Sequence, residues 1–97
     1  MPAYLIVHVN IQDRTEFNKY VKTFMSEFKE FPGRFRVVSE TAEVLEGDWG
    51  VPLRTVVMEF PTMDAAREWY QSEKYQNIAK IRWGSAKSKM ILVEGLS

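Results

Sequence analysis

Ninety-seven residues with 45% hydrophobic content suffice for one domain around one core and are too few for two, so a single domain over residues 1–97 is expected. Thirteen lysines and arginines balance thirteen aspartates and glutamates, which removes any net field toward nucleic acid or an anionic membrane. The absence of cysteine excludes a disulfide framework, a thiolate metal site and a cysteine nucleophile, and it fits a cytoplasmic protein.

The chain opens on MPAYLIVHV with neither a basic lead-in nor a small-residue cleavage site, and no stretch approaches the ~20 apolar residues of a membrane span. A soluble cytoplasmic protein is expected. Ala3 to Asn10 alternates as a strand, with Leu5, Val7 and Val9 on one face and Tyr4, Ile6, His8 and Asn10 on the other. Asp13 followed by Glu16 resembles a capping box, and Phe17, Tyr20, Val21, Phe24, Met25 and Phe28 recur at helical spacing. A helix from about Arg14 to Lys29 is predicted, its aromatic stripe facing inward. Pro32-Gly33 stops it.

Arg34 to Ser39 and Ala42 to Glu46 are two short extended runs, either one bent strand or a strand with a bulge near Glu40-Thr41. Gly47 to Gly50 makes a turn, and Pro52 bars a central strand there. Arg54 to Phe60 is the next strand, with Val56, Met58 and Phe60 on one face and Thr55, Val57 and Glu59 on the other. Pro61 ends it, Thr62 is a helix N-cap and Asp64 suits the first turn. Ala65, Ala66, Trp69 and Tyr70 form an inward face. Ser72 with Tyr75, Ile78 and Ala79 restarts or continues the helix to about Trp83, and Lys89 to Glu94 is the last strand.

The order βαββαβ predicts an α+β, ferredoxin-like fold: a four-stranded antiparallel sheet with the helices on one face and strands one and three in the middle. The opposite face then carries Tyr4, Ile6, His8, Thr55, Val57 and Glu59, too apolar to be left in water. A second copy of the chain in a two-fold homodimer is the expected cover.

The runs AYLIVHV, DRTEFNKYV, PGRF, EVLEGDW, RTVVMEFP, AAREWYQSEKYQ and LVEG together resemble the small bacterial family called domain of unknown function thirteen-thirty, over essentially the whole chain. Members of that family often have glycine where this chain has Pro32. The resemblance implies a ferredoxin-like protomer of the dimeric α/β-barrel superfamily and no particular reaction. More distant members of that superfamily include cofactor-independent monooxygenases, haem-binding degraders, lactone isomerases and stress-responsive dimers, a range that forbids reading a chemistry from the fold.

His8, the only histidine, is expected near the end of a central strand with Glu59 on the same face of its neighbour. Such a pair can act as a general base and its orienter, or the two can be hydrogen-bonded interface residues; an unpaired buried charge is costly in either case. Tyr4 shares that face. Arg34, Arg54 and Arg82 can bind a carboxylate or phosphate of a ligand, or make surface ion pairs. Trp49 is a ligand lid or a dimer contact. Trp69 and Tyr70 read as core, and Trp83 is open. No phosphate loop, nucleophile elbow or metal-ligand spacing is present, so no metal and no cofactor are implied, haem ligation through His8 being the one alternative. PGRFRVVSE lacks the aromatic pair of an RNA-recognition strand, so nucleic acid is not an expected partner. The expectation is a homodimer that binds or transforms a small, anionic or aromatic molecule around His8 and Glu59. The alternatives are a structural or interaction dimer without activity and a cofactor-free monooxygenase-like enzyme.

Overall fold

Alternation along the first strand converts directly into burial. In β1 (Ala3–Ile11) every odd-numbered residue is buried and every even-numbered one half exposed, because successive side chains of a strand point to opposite faces. The computed structural model describes residues 1–96. After β1 come α1 (Arg14–Glu27), running on into one 3-10 turn over Phe28–Glu30, then β2 (Arg34–Ser39), β3 (Leu53–Phe60), α2 (Met63–Gln71), α3 (Glu73–Ser85) and β4 (Ala86–Glu94). The sheet order is β2-β3-β1-β4 with every neighbouring pair antiparallel. This is the expected ferredoxin-like α+β topology, with β1 and β3 in the middle.

Local chemistry sets the helix starts. The Asp13 carboxylate accepts the Glu16 N–H at 3.1 Å, Thr62 Oγ1 accepts that of Ala65 at 3.0 Å, and Ser72 Oγ accepts that of Tyr75 at 3.2 Å, each satisfying a donor that the helix leaves free. The capping box at Asp13 is only half made. The Glu16 side chain pairs with Lys19 at 2.7 Å, and the Asp13 N–H donates instead to the Ser85 carbonyl at 2.9 Å. At Ser72 the backbone turns extended, which ends α2 and begins α3.

Leu5, Val7 and Val9 of β1 and Met58 and Phe60 of β3 meet Phe17, Tyr20 and Phe24 of α1, Ala66 and Trp69 of α2, and Tyr75, Ile78 and Ala79 of α3 in one core. Trp69 stacks at 4.1 Å between ring centroids on Tyr75. Gly33 is required where the chain enters β2, because a Cβ there would lie 2.4 Å from the Phe28 ring and 2.9 Å from that of Phe60. Among the described residues no helix is long and apolar enough to cross a membrane.

Several expectations are corrected. Ala42–Glu46 is not a strand: Ser39 Oγ accepts the Thr41 N–H at 3.1 Å, a turn that ends β2, and Glu40 is drawn toward Arg14 and Arg54. The bulge lies at Arg36 instead of Glu40-Thr41, since Phe35 pairs with Met58 and Val37 with Val57. β4 begins three residues earlier than predicted, at Ala86. Met25 and Tyr70, predicted to face inward, are exposed, because each follows a stripe residue, Phe24 or Trp69, by one position and so lies about 100° round the helix.

Candidate functional site

On the open face the register separates the two residues expected to act together. His8 stands opposite Thr55 and Glu59 opposite Tyr4, so His8 and Glu59 are four residues, about 13 Å, apart along the strands. Glu59 accepts from Nε of Arg36 at 3.1 Å and lies across from Arg34 on the neighbouring strand. Hydrogen bonding to Arg36 holds its carboxyl below the usual range, with Tyr4 and Arg34 adding to the effect. Arg34 and Glu59 border an open groove of about 530 Å³ beside Pro32 and Gly33. Glu59 is therefore a carboxylate whose charge is already matched there by arginines.

His8 is covered by its own chain. The Trp49 indole meets the imidazole edge to face at 4.6 Å and 63°, and His8 Nδ1 is buried without a hydrogen-bond partner. Asn10, two residues further on the same face, anchors this loop. Its Nδ2 donates to the carbonyls of Trp49 at 2.9 Å and Pro52 at 3.3 Å. Trp49 Nε1 donates back to the Glu46 carbonyl at 2.8 Å, and Gly50 takes φ +72° with the Asn10 carboxamide 3.0 Å from where a Cβ would stand. A side chain at 50 would both strain the backbone and displace the anchor.

The other face of the sheet holds a cavity of about 50 Å³ between the strands and α1, lined by apolar side chains together with Arg54 and Arg82. The half-exposed Met25 also lines it, so it reaches solvent on that side. Arg54 follows the inward parity of Val56 and Met58, stands over the Phe17 ring at 5.7 Å and pairs with Glu40 at 3.0 Å. The same carboxylate takes both Nη groups of Arg14, at 2.6 and 3.1 Å, and this bidentate contact is the main reason its pKa is lowered. Arg82 differs. It is 4% exposed, donates from Nη1 to the Ser88 hydroxyl, lies over the Tyr20 ring at 5.9 Å, and leaves Nε without an acceptor. None of the ion pairs among the described residues includes it. Beside it the Tyr20 and Tyr75 hydroxyls are hydrogen-bonded at 3.0 Å. Burial pushes the Tyr20 hydroxyl well above its ordinary pKa, so at neutral pH it stays protonated.

The structure thus brings Arg54 and Arg82 together at one cavity, places Tyr4, Arg34 and Glu59 at one end of the open face, and puts His8 under Trp49 toward the other. Arg82 is not a surface cation as the alternative reading had it. From the sequence, Tyr20 is expected only in the inward stripe of the first helix and Tyr75 only in the helix that follows Ser72.

The model of the family described as Domain of unknown function (DUF1330) matches residues 2–96. No curated protein matches the chain. Among solved structures, a protein of unknown function from Rhodopseudomonas palustris superposes with a TM-score of 0.77 at 17% identity, covering 99% of this chain and 83% of that one. A protein from Arabidopsis thaliana gives 0.73 at 15%, covering 99% and 89%. SnoaB, a cofactor-independent oxygenase from Streptomyces nogalater, gives 0.71 at 13%, covering 99% and 94%. At such identities the likeness is one of fold. With its model matched from residue 2 to residue 96, the chain belongs to the DUF1330 family.

Proposed function

We propose that the protein binds a small organic molecule in the cavity between α1 and the sheet, and that it does so as a two-fold dimer joined through the uncovered sheet face. The cavity carries the first part: it is apolar, it reaches solvent, and its polar groups converge from separate elements, the pattern of a ligand site. The second part is supported by Ile91, 58% exposed, which with Val93 and Val37 leaves apolar side chains on the face away from the helices. Ile6 and Val57 of the central strands lie between them in register. Glu59 and His8 flank that face, so their part in function would be at the dimer contact.

A panel of small neutral and anionic molecules, followed through the methyl NMR signals of Val7, Val56, Met58 and Met90, tests the site. Val21→Phe, which fills the cavity from α1, should abolish the shifts while leaving the fold intact by circular dichroism. No response from any member of the panel would refute the site. Ile91→Lys should yield a monomer by sedimentation, and an unchanged mass would remove this face from the dimer.

The small cavity volume favours a second reading, an interaction dimer whose function is assembly alone; an inert panel with an intact dimer would be its signature. The narrower enzymatic version, a cofactor-free monooxygenase-like activity, draws on the fold shared with SnoaB. The Arg82 guanidinium would stabilise a deprotonated phenol only if the cavity, about 50 Å³ as it stands, widened to admit the ring. His8 lies on the far side of the sheet and cannot remove that proton within the protomer. Oxygen uptake with phenols and quinols checks this version, and a flat trace counts against it.

A further inference from the structure

A guanidinium buried in a core without a counter-ion is expensive. Transfer of an isolated charge out of water costs far more than one hydrogen bond returns, and an arginine cannot escape the cost by losing its proton. Arg82 is in this position: nearly fully buried, outside every ion pair among the described residues, and with Nε unused. The residues around the cavity do not relieve it. Two guanidiniums and no carboxylate line the space, and the nearest acid in the network, Glu40, is committed to Arg54 and Arg14. The lining carries an excess of positive charge in an apolar enclosure, where a charge–charge attraction is much stronger than in water. The volume of about 50 Å³ has room for roughly two ordered waters, or a group of three or four heavy atoms.

We infer that the cavity is an anion site for a short-chain monocarboxylate, whose carboxylate pairs with the Arg82 guanidinium and whose apolar end lies among Val7, Met58 and Met90. This rests on the cavity being a ligand site, as proposed above, and adds what it recognises. Nη1 is held by Ser88, which fixes the guanidinium plane and so the direction of the charge that the incoming carboxylate meets. The Tyr20 hydroxyl, hydrogen-bonded to that of Tyr75 at 3.0 Å, is a further polar group at this wall. Arg54, already neutralised by Glu40, adds length selectivity at one wall of the cavity and little charge.

Sodium acetate and acetamide, nearly equal in size and differing in charge, are titrated at constant ionic strength made up with chloride, with the Met58 and Met90 methyl signals as reporters. Acetate should give saturable shifts and a raised unfolding midpoint, and acetamide neither. Arg82→Met keeps the stem and removes the charge: it should weaken acetate binding by about tenfold or more while raising the unfolding midpoint without ligand. Arg82→Lys, which keeps a charge, should retain part of the acetate response and shows that the loss in Arg82→Met is not misfolding. Equal binding of acetamide, or full acetate binding by Arg82→Met, would overturn the anion assignment and leave the cavity as a ligand site. No shift with acetate would also overturn it, and the neutral members of the wider panel then decide whether the site itself survives.

Discussion

The His8 imidazole and the Trp49 indole meet edge to face with ring centroids 4.6 Å apart, which closes the chain's only histidine under a loop of the same chain. The loop reaches it because Asn10, on the same face of β1, binds the Trp49 and Pro52 carbonyls. The segment between β2 and β3 is therefore a strap across one end of the open face. An aromatic contact and one carboxamide hold it there.

Trp49→Ala should loosen this strap. The aromatic pair contributes about 0.5–1.5 kcal/mol beyond its buried area, so a loss of that order in unfolding free energy is expected. Cleavage by a glutamate-specific protease at Glu43 and Glu46 should accelerate as well. An unchanged cleavage rate would mean that Asn10 alone holds the loop.

The acid side of the stability curve should depend on Glu40. Bidentate pairing with Arg14, reinforced by Arg54, lowers its pKa below the ordinary carboxylate value of 4.5, so the folded value lies below the unfolded one. The contribution is then complete above 4.5 and is lost as pH falls through the folded value. Glu59, lowered chiefly by Arg36, has the same sign. The unfolding midpoint should stay level from neutrality down to about 4.5 and drop below it. Glu40→Gln should shrink the drop modestly, the pair being partly exposed and screened by salt. A curve of the variant that superimposes on the wild type would show that the clamp adds nothing.

The Tyr20–Tyr75 pair is suited to a double-mutant cycle. Tyr20→Phe or Tyr75→Phe alone strands a buried hydroxyl and should cost about 1–3 kcal/mol. The double variant should cost less than the sum, with a coupling of about 1 kcal/mol. Strict additivity in chemical denaturation would mean the 3.0 Å contact is not energetically formed.

Strand parity was enough to place His8, Tyr4 and Glu59 on the face away from the helices. It could not pair His8 with Glu59 correctly. Period two assigns a face, whereas the offset between two strands depends on where each connection lets the chain return. The burial of Arg82 has a counterpart in the sequence. Tyr75, Ile78, Ala79 and Arg82 follow the i, i+3, i+4, i+7 pattern of a buried helix face, and all four are buried. An arginine near a helix end also has an ordinary surface role beside the helix carboxyl end, so the periodicity alone does not separate the two.

The amino-acid sequence by itself determined the element order, the caps at Asp13 and Thr62 and the sidedness of β1 and β3, because these rest on contacts between residues near in sequence or on a repeat along one element, and its motifs carried the family. Only the tertiary structure decided that Ala42–Glu46 is part of a strap, that Trp49 covers His8, and that Glu40 serves two arginines. It alone also revealed a small cavity with an unmatched guanidinium. These depend on register and on the volume left when α1, α3 and the sheet pack together, and no local pattern encodes either.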